Sequence, residues 1–517
     1  MNSFITRHAP AVKGMLSGLD RVRFRGTLRW LAHLGGMERW LGHARVLLKD
    51  FRDYAMGLTD QIKQSTKELA EQAGRPLRYL HSSSLRKEDI ARDIAEHDSI
   101  DEGLVCVLTA VEPCHTFTVG PNREAKKLEL RSHQGKCLHQ YFYLIDPRFG
   151  WLNVRLQTWF PFTVHIVING RKWLAQELCR KGIDYEQREN CFTDIGDVSR
   201  AQKAMDRQLR TNWWRELDRL IRQVHPSHRR LFGKDRLHHY WSADETEWAT
   251  DVMFRSPKEL SELYPRLVQY AMTTFGSTEV LRFLGRRGHV KQFKRAEILS
   301  HLGTRSEGVR VKHAIDGNSV KMYDKQESIL RVETTINNTR QMKVFRAAEN
   351  APEGPKSWQK LRKGVADLHR RAEISQKSNE RYLDALSVVE AEPTLAETAV
   401  GVCRRTRWKG RSVRALNPLA DEDAQLLEAV SRGEFALQGF RNRDLRALLF
   451  GGPRSADTRR RQMAKTSRLI RMLRAHGLVR KVPKTHRYTV SPKGRQVIGA
   501  LLAARSANTK ELMKLAA

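Results

Sequence analysis

The chain reads as alternating blocks of two periodicities. In residues 103–170 short β-prone runs (104–108, 116–119, 140–145, 152–157 and 163–168) are separated by turn chemistry, and the spacing predicts an antiparallel meander. Asp146-Pro147 with Gly150 predicts one reversal and Asn169-Gly170 another, while residues 172–181, closed by Gly182, predict a helix. A second three-strand pattern occupies 309–315, 319–323 and 329–336, with Asp316-Gly317 as the tight-hairpin signal.

Elsewhere the period is helical. Residues 1–80 predict a mainly helical region around Trp30, Leu31, Leu34, Trp40 and Leu41, apart from residues 19–25, which alternate like a strand. Met205, Leu209, Trp213, Leu217 and Ile221 recur every four residues and predict one long amphipathic helix over 198–224, with Arg207, Arg210 and Arg215 on its other faces. Trp213-Trp214 invites base stacking, although a tryptophan at helical spacing is more often core. Residues 347–356 and 390–393 read as linkers around a helical segment ending near Val389.

In 463–476, Leu469, Ile470, Met472 and Leu473 form one apolar stripe and leave Lys465, Arg468 and Arg471 on the other face. Gly477 stops the helix, a basic hairpin follows around Pro483, and Ser491-Pro492 opens a last helix as N-cap and first helical residue. This order over residues 430–505 resembles the MarR and ArsR classes of winged-helix regulators. The resemblance implies a recognition helix at 465–476 preceded by Arg459, Arg460 and Arg461, with Lys484 and Arg487 of the wing touching backbone or minor groove. The expected fold is therefore α+β and multidomain, antiparallel meanders with helices followed by a C-terminal winged helix-turn-helix. Its expected divisions are a helical region 1–80, an α+β region 81–200, a helical segment with a three-strand hairpin region 201–346, linkers and helices 347–429, and a nucleic-acid-binding domain 430–517.

Charge sharpens the partner. The 517 residues carry a formal +35, and residues 431–517 alone hold 21 Lys+Arg against 4 Asp+Glu. Such an excess implies a polyanion. Double-stranded DNA is the first expectation and RNA the alternative, with a homodimer compatible with a regulator. No apolar run reaches membrane-spanning length and the N-terminus lacks a signal-peptide core, which predicts a cytoplasmic protein with no membrane partner.

Chemistry is less plainly written. No Walker A, strand-to-helix G-x-G-x-x-G, H-E-x-x-H or G-x-S-x-G motif is present. Tyr323 and Lys325 share one strand face and Glu333 is expected across the hairpin, which together supply a nucleophile, a charge stabiliser and a ligand for Mg²⁺ or Mn²⁺. Tyr-x-Lys followed by Leu-Arg-x-Glu, over about 20 residues, resembles the rolling-circle replication initiators of filamentous phages and some plasmids. The resemblance implies metal-dependent DNA nicking or strand transfer by a mobile-element protein. A His-hydrophobe-His metal motif is missing and the Tyr-to-Glu interval is short, so the plain alternative is an ion pair and a tyrosine on a buried hairpin. Asp20, Asp146 and Glu333 form a competing acidic set. A non-enzymatic winged-helix regulator and an RNA-binding protein are the other readings. Among six cysteines there is no C-x-x-C, but Cys114-His115 and Cys137-Leu138-His139 could converge on one metal.

Overall fold

The computed structural model describes residues 3–508 apart from 227, 229–230, 232–236, 286–296, 306–307, 349–350, 352, 390–398, 436–438, 454 and 484. The chain divides into two compact units, one built mainly from residues 1–265 and 297–384 and one mainly from 385–517.

The larger unit is organised by one sheet. Its strands are β1 (Val12–Leu28), β2 (Leu77–Tyr79), β3 (Gly103–Asn122), β4 (Lys127–Asp146), β5 (Gly150–Gln157) and β6 (Val164–Asn169). After a separate hairpin of β7 (Tyr185–Arg188) and β8 (Cys191–Ile195) come β9 (His239–Phe254), β10 (Leu299–Arg305), β11 (Gly308–Ile315), β12 (Asn318–Lys325) and β13 (Ile329–Ile336). The order across the eleven strands is β10-β11-β12-β13-β9-β1-β6-β5-β4-β3-β2. All neighbours are antiparallel except β2 and β3, which run parallel.

Period-2 alternation decides the two faces. Val22, Phe24 and Leu28 of β1, Val154 of β5 and Ile166 of β6 point to one side. There they pack on helices α2 (Leu34–His43), α3 (Phe51–Gln72) and α7 (Trp213–Val224), following the five-residue α1 (Ser3–Arg7). Each fully buried large apolar side chain in this layer contributes roughly 1.5–3 kcal/mol. Helix α4 (Lys87–His97) covers the β3 end through Ala91 and Ile94. On the opposite face α5 (Gly170–Arg180), α6 (Val198–Gln208) and the β7–β8 hairpin cover one end through Leu174, Leu178, Phe192 and Met205.

Several expectations change. Helices α2 and α3 fill much of the first 80 residues as expected, while the strand expected at 19–25 extends over residues 12–28 and lies at the centre of the sheet. The predicted runs at 104–108 and 116–119 are one strand of 20 residues, whose arm pairs with β4 past Pro113 as far as Asn122. The long helix over 198–224 is two helices, α6 and α7, with Asn212 accepting a hydrogen bond from the Arg215 N–H to cap the second. Asn169-Gly170 is a helix start, not a turn, since the Asn169 side chain accepts from the N–H groups of Arg171 and Lys172. Asp316-Gly317 is the hairpin turn expected, with φ of 50° and 78°. The linker expected at 347–356 falls between the paired strands Lys343–Arg346 and Ser357–Lys360, with 349–350 and 352 outside the described residues. The linker expected at 390–393 lies outside the described residues.

The second unit carries helices Asp421–Ser431, Asn442–Phe450 and Ala456–Ala475, a hairpin of Val479–Lys481 with Tyr488–Val490, and helix Pro492–Ser506. Its core joins Leu426, Leu427, Leu445, Ile470, Leu473 and Ile498. Among the described residues no helix is long and apolar enough to cross a membrane.

Candidate functional site

The face of the sheet turned away from α2, α3 and α7 is strongly charged, because the same alternation that buries Val22 and Phe24 sends Arg21, Arg23 and Arg25 to the other side. A ladder of alternating charges crosses from β1 to β12 there. Arg21 donates to Glu245 at 2.6 Å and Glu247 at 3.1 Å. Lys321 donates to Glu247 at 3.4 Å and Glu333 at 2.6 Å. Burial opposes the Lys321 charge, but Glu333 and Glu247 outweigh it and raise its pKa. Arg21 is half-exposed at one end of the ladder, while Lys321 and Glu333 are buried at the other.

Tyr323, Lys325 and Glu333 do share this neighbourhood. Glu333, however, is registered opposite Lys321, whereas Tyr323 faces Arg331 on β13 and Arg310 on β11. The expected pairing of Glu333 with Tyr323 and Lys325 is therefore offset by two residues, and the carboxylate is bound by Lys321, which lies on β12 with Tyr323. The Lys325 ammonium stands 5.7 Å from the Tyr323 ring centre. Burial and then the Glu333 charge push the Tyr323 phenol up to about 12, against the pull of Lys321 and Arg310. Tyr323 is 7% exposed, so its proton is held and its oxygen is covered.

Where α5, α6 and the β7–β8 hairpin cover this face, a second cluster forms that the sequence did not announce. Arg331 donates twice to Asp251, at 2.5 and 2.8 Å, once to Asp20 at 2.9 Å, and once to the Asn190 carbonyl at 2.7 Å. Arg171 adds an ion pair with Asp251 at 3.1 Å. Two arginines and two aspartates are thus sealed together with little net charge, which is the condition for burying them. Burial raises the Asp251 carboxyl, but Arg171 and Arg331 outweigh it and hold the pKa below the usual range. Of the competing acidic set, Asp20 and Glu333 come near enough for their charges to interact. Asp146 is used elsewhere, accepting from the N–H groups of Arg148 and Phe149 and from Arg219.

The tryptophan pair separates into two roles. Trp213 is core, within 4.8 Å of the Phe24 ring centre and 5.6 Å of Trp173. Trp214 is 49% exposed and lines a cavity of about 710 Å³ with Arg29, Arg210, Tyr240, Arg362 and His369. The Arg29 guanidinium lies 3.8 Å above the centre of the Tyr240 ring.

In the second unit, helix Ala456–Ala475 is N-capped by Ser455 and ends before Gly477, whose φ is 75°. Leu469, Ile470, Met472 and Leu473 are buried, while Arg459, Arg460, Arg461, Lys465, Arg468 and Arg471 are exposed. Lys465 pairs with Glu422 at 2.5 Å and Arg461 with Asp457 at 2.8 Å. Arg487 turns back to the Gly439 carbonyl at 3.4 Å. Lys484 lies outside the described residues. Among the described residues, Arg468 and Arg471 have no ion-pair partner.

Comparison with family models, with curated proteins and with solved structures finds no match for this chain.

Proposed function

We propose that this chain is a nucleic-acid-binding protein whose preferred polymer is double-stranded DNA and whose segment 430–505 works as a winged helix. The observation that carries this reading is the helix Ala456–Ala475, which buries its apolar stripe and turns Arg459, Arg460, Arg468 and Arg471 to solvent. A helix of this length spans roughly 30 Å, and a helix of ordinary width fits the major groove. Lys465 and Arg487, engaged within the protein, would have to exchange those partners for phosphate. Salt-titrated binding of the full chain to duplex DNA and to structured RNA tests the assignment: a steep salt slope with duplex preferred supports it, and structured RNA outcompeting duplex at matched salt overturns it.

The larger unit is read as acting on the same polymer, in the manner of a replication initiator or transposase-like mobile-element factor. Tyr323, on losing its phenol proton to solvent, would attack the phosphorus of a phosphodiester and form a phosphotyrosine bond as the P–O bond to the departing sugar hydroxyl breaks; Arg310, Lys321 and Lys325 would receive the phosphate charge, and Glu333, released from Lys321, would help hold Mg²⁺ or Mn²⁺. Nicking of supercoiled DNA with Mn²⁺ that disappears in Tyr323→Phe, with binding retained, is the outcome this reading expects.

The non-enzymatic regulator is the second reading, and the burial of Tyr323 with its proton held favours it. A homodimer protecting a palindromic duplex, with no cleavage under any metal condition, would replace the first reading with this one.

A further inference from the structure

The β3–β4 arm brings together soft metal-ligating side chains that neither the DNA-binding helix nor the charged ladder uses. Glu112 and Cys114 of β3 lie opposite Cys137 and Gly135 of β4, and Ala110 lies opposite His139. Residues two apart on a strand share a face, so Cys114, Cys137 and His139 all project to one side of the arm. Their sulfurs are 3.3 Å apart, and the Cys137 sulfur is 4.0 Å from His139 Nδ1. One donor atom from each of the three lies within 4.8 Å of the others, a grouping found only here among the described residues.

Gly135 lies opposite Cys114, and its lack of a Cβ lets the Thr116 methyl and the His133 ring close in on its Cα: a Cβ there would stand 2.6 Å from that methyl and 3.1 Å from His133 Nε2. His133 is exposed and shares this face of the arm, outside the group of three donors. His115, by contrast, spends its Nε2 on the Ser132 hydroxyl at 2.7 Å, and so Cys114-His115 contributes its cysteine alone.

We propose that Cys114, Cys137 and His139 form a transition-metal site, with zinc as the ion that fits best and the exposed His133 turning in to take the fourth position. Two thiolates and two imidazoles suit a borderline-soft divalent ion in tetrahedral coordination, and two thiolates cancel its charge. That neutrality matters here, since Arg155 and Lys87 converge on Glu112 beside Cys137, at 3.0 and 2.9 Å, and already neutralise the nearest carboxylate. The three donors come from both strands of the arm, so the ion would pin β3 to β4 beyond the reach of the α4 core. This inference is independent of the nucleic-acid reading.

The test uses the full chain purified under reducing conditions and loaded with zinc or with cobalt(II). The expected result is about one zinc retained per chain and a tetrahedral cobalt(II) spectrum carrying thiolate-to-metal charge-transfer bands. Cys114→Ser and Cys137→Ser should each remove about half of the charge-transfer intensity, because each deletes one of two thiolates. His139→Ala and His133→Ala should each disturb the visible bands, and an unchanged spectrum in His133→Ala would remove His133 from the fourth position. Should the serine variants fail to fold, alkylation of the wild-type chain decides: zinc should protect Cys114 and Cys137 while the exposed Cys179 and Cys403 still react. Substoichiometric metal, equal labelling with and without zinc, or a Cys114–Cys137 disulfide in the reduced preparation would each overturn the proposal.

Discussion

Arg331 grips Asp251 with two parallel hydrogen bonds, at 2.5 and 2.8 Å, from directly opposite it on the neighbouring strand. Fork-to-carboxylate geometry of this kind is among the stronger polar contacts a protein makes, and here it joins β13 to β9 beneath the lid of α5 and β7–β8.

Arg331→Met removes the cation and leaves Asp20 and Asp251 buried with Arg171 as their remaining ion-pair partner. The expected loss is about 3–5 kcal/mol in chemical denaturation of the full chain. Combining it with Asp251→Asn should cost less than the sum of the two single changes, by at least about 0.5 kcal/mol, because they share one interaction. Strict additivity would mean that water already reaches the pair.

Acid should unfold the larger unit early. Burial and the neighbouring cations Arg155, Arg25 and Arg23 push His165 down to about 3, and burial with His228 does the same for His225, whereas an unfolded histidine titrates near 6.5. Both folded-state values are depressed, so the stability that these residues contribute is fully present above pH 6.5 and declines as pH falls towards 3. Each histidine steepens the decline by about 1.4 kcal/mol per pH unit. Denaturation midpoints at several pH values between 7.5 and 4.5 should show it, and His225→Asn should flatten the slope whatever it does to the height.

Trp213 and Trp214 are neighbours in sequence with opposite consequences. Trp213→Ala opens the aromatic core against Phe24 and Trp173 and should cost about 3–5 kcal/mol of stability. Trp214→Ala should alter stability by no more than about 0.5 kcal/mol. If the Arg29 cavity receives an unpaired base, Trp214→Ala should instead weaken single-strand binding by about 1–3 kcal/mol, read by titration with a labelled oligonucleotide. Unchanged affinity would take that cavity out of nucleic-acid contact.

On the basic helix, Arg468→Ala and Arg471→Ala should each reduce the salt slope of duplex binding by about one if they meet phosphate. Loss confined to particular base positions would assign them to base edges. Lys465→Ala should have the smaller effect, because its ion pair with Glu422 must be broken before it can bind DNA.

The C-terminal order of helices and hairpin was legible because each boundary has a local chemical cause. Gly477 adopts a positive φ, and the Ser491 hydroxyl accepts from the Gly494 N–H at 2.8 Å. Gly494 carries a further constraint, since a Cβ there would stand 2.0 Å from the Leu478 carbonyl. The β11–β13 hairpins were legible for the same reason. What escaped was long-range. Residues 239–254 alternate acidic and small side chains around Trp241 and Trp248, and nothing local marks them as a central strand; only pairing with β1 and β13 makes them one. The Arg331 cluster escaped for the same reason, as its members are 311 residues apart at the extreme. Tyr323, Lys325 and Glu333 were rightly placed on one hairpin, but register, which depends on the turn at 326–328, moved Glu333 to Lys321.

The central position of β1 bears on how the chain is made. β1 is synthesised before both of its partners; it meets β6 after about 150 residues, but its other edge stays open until residues 239–254 have been made. Through that interval a 17-residue strand presents unpaired N–H and C=O groups along one side, the situation in which nascent chains pair with one another. Arg21, Arg23 and Arg25 stand on that strand, and until Glu245 and Glu247 arrive to pair with Arg21 their mutual repulsion between copies would keep two unfinished chains apart. Charges that bind the finished sheet together would in this way also disfavour pairing between unfinished chains.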